Sequence, residues 1–84
     1  MDGFKTGDIV RFVDSKTITD LNGGEIKNPF LSRAGQIGMV LKIIPEYNSL
    51  SLSLVENNGS KIILRVPASA VTKLSQEEIS ERGG

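Results

Sequence analysis

Cysteine and histidine are both absent from the 84 residues, and each absence removes a class of chemistry. Without cysteine there is no disulfide framework and no thiolate metal site, a composition that fits a reducing compartment. Without histidine or cysteine, a general base would have to be Asp, Glu, Lys or Tyr. An excess of charge of one sign is also missing. Ten Lys and Arg balance ten Asp and Glu, so no whole-molecule field draws the chain onto nucleic acid or anionic lipid. No apolar run approaches membrane-spanning length, and Met1-Asp2-Gly3-Phe4-Lys5 lacks the basic and apolar regions of a signal peptide. The expectation is a cytosolic (cytoplasmic) chain with no membrane partner.

Of the ten acids, Asp2, Asp8, Asp14, Asp20, Glu25, Glu46 and Glu56 are scattered near turns and ends, where carboxylates are normally solvated. General acid–base catalysis needs a desolvated group with a shifted pKa, and nothing in this pattern implies one. No enzyme, catalytic residue or cofactor is therefore expected. Glu77-Glu78 reads as a charged helix start, because no carboxylate-rich loop with calcium-ligand spacing accompanies it. No metal site is expected either. A chain this short makes one domain with one modest core.

What the chain has in abundance is strand signal, up to about residue 74. After the turn signal Gly7-Asp8, Ile9 to Val13 reads as strand one. A connection over 14–34 follows, longer than compact domains usually tolerate without structure or function in it. Within it, Asn22-Gly23-Gly24 lies between Ile18 and Ile26 and can close a small protruding hairpin. Ile37 to Ile44 is strand two, apolar on both faces and hence central, with Pro45 ending it. In strand three Leu50, Leu52 and Leu54 alternate with Ser49, Ser51 and Ser53, so one face is wet. Strand four, Lys61 to Val66, places Ile62, Leu64 and Val66 on its apolar face. These leucines meet that face only across a three-residue Asn57-Asn58-Gly59 loop with Gly59 left-handed. A two-residue loop would slip the register and bring the serines opposite instead. Pro67-Ala68-Ser69-Ala70 suggests a single helical turn, Val71 to Leu74 a last strand, and 75–84 a short helical or disordered tail begun by a capping box at Ser75-Gln76-Glu77-Glu78. The expected core is Val10, Phe12, Val40, Leu50, Leu52, Leu54, Ile62, Leu64 and Val66.

The segment Arg33-Ala34-Gly35-Gln36-Ile37-Gly38-Met39-Val40 opens strand two with two glycines. The backbone there turns sharply and then passes close to a neighbouring strand, where a side chain would clash. A phosphate cradle would need further glycines, a lysine and a hydroxyl leading into a helix. These two lead into an apolar strand. The segment is similar to the KOW motif of some ribosomal and transcription proteins, and the order of parts over about residues 5 to 74 resembles the SH3-like barrels. The resemblance implies a five-stranded, strongly bent sheet closing into a small barrel over 1–74, with a long arm-like first loop. Members of that class bind proteins, nucleic acids or cofactor-bearing partners, many as small subunits of larger machines, and small phage-encoded (viral) proteins resemble it too. Two departures stand out: the arm exceeds what a minimal KOW unit needs, and basic residues are sparse.

Two binding functions follow as expectations. In the first, the chain is a non-catalytic protein-binding module, a small accessory or structural subunit that docks through Phe30, Leu31 and Tyr47 in the long loop and the turn after strand two. Phe30 and Leu31 can equally cap the open end of a barrel, and Tyr47 can fold over Ile44. In the second, Arg11, Arg33, Lys42, Lys61 and Arg65 share a surface for RNA or single-stranded DNA, with Tyr47 or Phe30 stacking on a base. The same cations also serve as ordinary solubilising charges on the wet faces of strands.

Overall fold

Alternation is the rule from which the molecule is built. The structure, a computed structural model, describes residues 3–20 and 22–75. Seven strands appear: β1 (Ile9–Phe12), β2 (Thr17–Thr19), β3 (Glu25–Lys27), β4 (Ile37–Ile44), β5 (Ser49–Val55), β6 (Lys61–Pro67) and β7 (Val71–Lys73). Three 3-10 turns, Leu31–Arg33, Pro45–Tyr47 and Ala68–Ala70, punctuate them. Five strands form one antiparallel sheet in the order β6-β5-β4-β1-β7, and β2 and β3 form a separate ribbon. The chain is thus mainly β. Among the described residues no helix is long and apolar enough to cross a membrane. The tail expected over 76–84 lies outside the described residues.

The β5–β6 hairpin has the register that the leucine pattern requires: Leu54 opposes Ile62, Leu52 opposes Leu64 and Leu50 opposes Val66. The Glu56 N–H donates to Ser60 O at 2.8 Å and encloses three residues, Asn57 to Gly59. Gly59 has φ +87 with nothing near its missing Cβ. An L-residue there meets conformational strain but no clash, so Gly59→Ala should cost about 1–2 kcal/mol in urea melts. A cost near zero would show that the loop can adopt another shape.

Closure is where the expected barrel gives way. No ladder joins β6 to β7 among the described strands, so the five strands make an open sheet with two edges. That sheet is nevertheless curled. Five flat strands at about 4.8 Å spacing would hold the edges about 19 Å apart. The four-residue step from Pro67 to Val71 reaches about 14 Å at most. The Ala68–Ala70 turn therefore draws one end of the edges together, while Pro67, lacking an N–H, contributes no donor to a closing ladder. A bulge between Val40 and Lys42 adds bend to β4.

The core lies inside this curl. Val10, Phe12, Val40, Leu50, Leu52, Leu54 and Val66 are fully buried. Ile62 and Leu64 are only half-buried, because β6 is an edge strand with no neighbour beyond it among the described residues. The arm is less of a protrusion than its length suggests. Ile18 on β2 is buried, Ile18 pairs with Ile26, and the Ser69 hydroxyl donates to Thr19 O at 2.7 Å, tying the ribbon to the Ala68–Ala70 turn. Its tip is closed by Asp20, whose Oδ1 accepts from the N–H groups of Asn22 and Gly24. β4 is central, as expected, yet its two faces differ: Val40 is buried and Met39 and Leu41 are exposed.

Candidate functional site

The loop residues proposed as anchors from sequence take different places. Asn28 is buried, donates to Ser15 O and accepts the Phe30 N–H at 2.9 Å. That arrangement turns the Phe30 ring inward. It sits 6.0 Å from the Phe12 ring at 45°, half-buried against the core, which is the capping role. Leu31, 41% exposed, begins the turn that precedes β4. Tyr47, 50% exposed, lies in the turn that follows β4. Eight residues of strand stand between them. Phe30, Leu31 and Tyr47 therefore do not form one patch.

The five cations separate as well. Arg33 is engaged by Glu56 at 2.8 Å and by Gln36 Oε1 at 3.0 Å, so its charge is locally balanced. Arg11 on β1 is half-buried, opposite Ile37 on one side and Thr72 on the other. Lys42, Lys61 and Arg65 share the wet face of β4, β5 and β6. Lys42 and Arg65 oppose the two sides of Ser51, and Lys61 opposes Val55. Arg65 also reaches Tyr47, its guanidinium 4.8 Å from the ring centroid, a cation–π contact between a cation of the second expected site and the aromatic ring expected in both.

That face holds apolar residues that the sequence reading passed over. Ile9, Met39, Ser53 and Ile63 lie in one row across β1, β4, β5 and β6. Met39 is 39%, Val55 57% and Ile63 72% exposed. Ser51 and Ser53 of β5 lie between the larger residues Lys42 and Met39 of β4 and Arg65 and Ile63 of β6. The signal for this was in the chain: the alternation that puts Ser51 and Ser53 on this face also puts Lys61, Ile63 and Arg65 there, although Ser49, at the start of β5, is buried. The segments Ile37–Ile44, Ser49–Val55 and Lys61–Pro67 contain three cations and no carboxylate. A chain of zero net charge thus presents a locally positive, partly apolar surface.

Comparison with protein-family models, with curated proteins and with solved structures finds no match to this chain in any of the three.

Proposed function

We propose that the chain is a non-catalytic protein-binding module of SH3-like type, a small accessory or structural subunit, and that a partner docks on the wet face of β4, β5 and β6. The observation that carries this reading is the exposed row of Met39 and Ile63 with Val55 beside it, bordered by Lys42, Lys61 and Arg65. Scattered single apolar side chains are ordinary on a protein surface, whereas a contiguous group rimmed by polar residues is the usual form of an interface centre. Burial of such a group supplies affinity, and the surrounding cations supply orientation and on-rate.

A nucleic-acid interface is the second reading. It rests on Lys42 and Arg65 flanking Ser51, with Tyr47 beside Arg65. Against it stand the apolar row at the middle of the face, the pairing of Arg33 with Glu56 and the zero net charge.

Replacing Met39 and Ile63 together by serine should weaken partner capture from cell extract at high salt by about tenfold or more. Each exposed change should shift stability by only about 0.5 kcal/mol. Quantitative mass spectrometry of the captured material against wild type reads the first, and urea melts the second. Undiminished capture contradicts the site. A salt-sensitive shift of single-stranded RNA, abolished in Lys42→Ala with Arg65→Ala, favours the second reading.

A further inference from the structure

Among the described residues β6 is an edge, and the hydrogen-bonding groups it leaves unpaired there are those of particular residues. The hairpin closes with Glu56 N–H donating to Ser60 O at 2.8 Å, and at the opposite end Ala68 N–H donates to Asn48 O at 3.0 Å. Antiparallel ladders alternate bonded and non-bonded pairs. In that phase Ile62, Leu64 and Val66 direct their peptide groups at β5, and Lys61, Ile63 and Arg65 direct theirs outward. Pro67 falls in the outward phase too, where an absent N–H costs no internal bond. The side chains of the three outward-bonding residues stand on the wet face in the order cation, apolar, cation.

We propose that β6 takes up an extended acidic segment of a partner protein as an added antiparallel strand. This rests on the protein-binding reading above and specifies the partner's chemistry at that face. A segment of the form acidic-x-apolar-x-acidic sets its carboxylates opposite Lys61 and Arg65 and its apolar residue opposite Ile63. The intervening x side chains fall on the other face, beside Ile62 and Leu64. Those two are half-buried while their β5 partners Leu54 and Leu52 are fully buried, so apolar x residues would cover what the edge leaves open. No carboxylate of β4, β5 or β6 competes for the cations. A second copy of this chain is a poor occupant. Antiparallel pairing of two β6 strands about Ile63 brings Arg65 opposite Lys61 of the other copy, and any register crowds four cations onto one face.

The test is an NMR titration of the whole chain with a synthetic Ser-Glu-Val-Val-Val-Glu-Ser peptide, its counterpart with Lys for Glu, and two forms N-methylated at one valine. The acidic peptide should bind and slow hydrogen exchange at the Lys61, Ile63 and Arg65 amides. Methylation of the central valine, whose N–H would point at β6, should abolish binding. Methylation of the valine before it, whose N–H points away, should leave binding intact. Lys61→Glu with Arg65→Glu should weaken the acidic peptide about tenfold and gain affinity for the Lys peptide. Absence of binding at millimolar peptide, equal effects of the two methylations, or a dimer formed through β6 overturns the strand addition. If capture still depends on Met39 and Ile63 under those outcomes, the protein-binding reading stands alone. If that dependence is also missing, both fall.

Discussion

Leu52→Ala should destabilise the domain by about 2–5 kcal/mol, the range for emptying a buried leucine site. Leu52 is fully buried on β5, directly between Val40 of β4 and Leu64 of β6, so the lost methyl groups leave a void flanked by two strands that are tied in register and cannot easily collapse. A domain of this size has little stability to spare, with about 5–15 kcal/mol typical of native proteins as a whole. The variant is therefore expected to be partly unfolded at 37 °C. Ser51→Ala, one residue away on the wet face, should stay within about 0.5 kcal/mol of wild type. Chemical denaturation of the pair reads the contrast directly. Equal small effects would mean that the leucine face is not the core.

Gly38→Val should be nearly as damaging, by about 2–3 kcal/mol, through the opposite fault of overpacking. A Cβ at Gly38 would stand 2.5 Å from Leu54 Cδ2 and 3.2 Å from the Ser53 carbonyl oxygen. The leucine terminus is fully buried and the carbonyl belongs to the paired strand, so neither can give way cheaply. The two glycines of this segment are required for separate reasons. Gly35 has φ +85 and open space around its missing Cβ, so Gly35→Asn should be mild, since asparagine tolerates the left-handed region. A melting temperature unchanged in Gly38→Val would contradict the close approach of β4 to β5.

The β5–β6 hairpin was legible because two local signals agreed. Leucine–serine alternation fixed which residues face inward, and the Asn-Asn-Gly loop admitted only one register consistent with it. β4 was legible in extent, Ile37–Ile44, and not in environment: its apolar residues on both faces suggested a strand covered on both sides, yet Met39 and Leu41 are exposed. Closure of the sheet could not be read, because it depends on whether the curl of five strands brings the two edges, β6 and β7, into hydrogen-bonding phase with each other. The burial of Ile18 was hidden as well: it belongs to the core cluster with Ala70 and Val71, and the Ser69 to Thr19 bond ties the ribbon there across fifty residues of chain.

For the site, residue type without register did not show which residues share a face. Phe30 sits in a loop beside proline, which suits an exposed anchor, but the buried Asn28 amide turns it onto Phe12. Tyr47, expected in both candidate sites, meets Arg65 of the second as one contact, which residue type alone did not show. The wet-face row of Met39, Ser53 and Ile63 needed only the strand registers laid side by side.

Site-specific photo-crosslinking tests the proposed face most directly. A benzophenone amino acid placed at Ile63, and separately at Ile26 and Leu31, compares the β6 face with the exposed ribbon and the turn before β4. Discrete protein adducts are expected from position 63, disappearing when Met39 is changed to serine, with none from positions 26 and 31. Protein adducts from the ribbon or the turn alone, or nucleic-acid adducts from position 63, would contradict it.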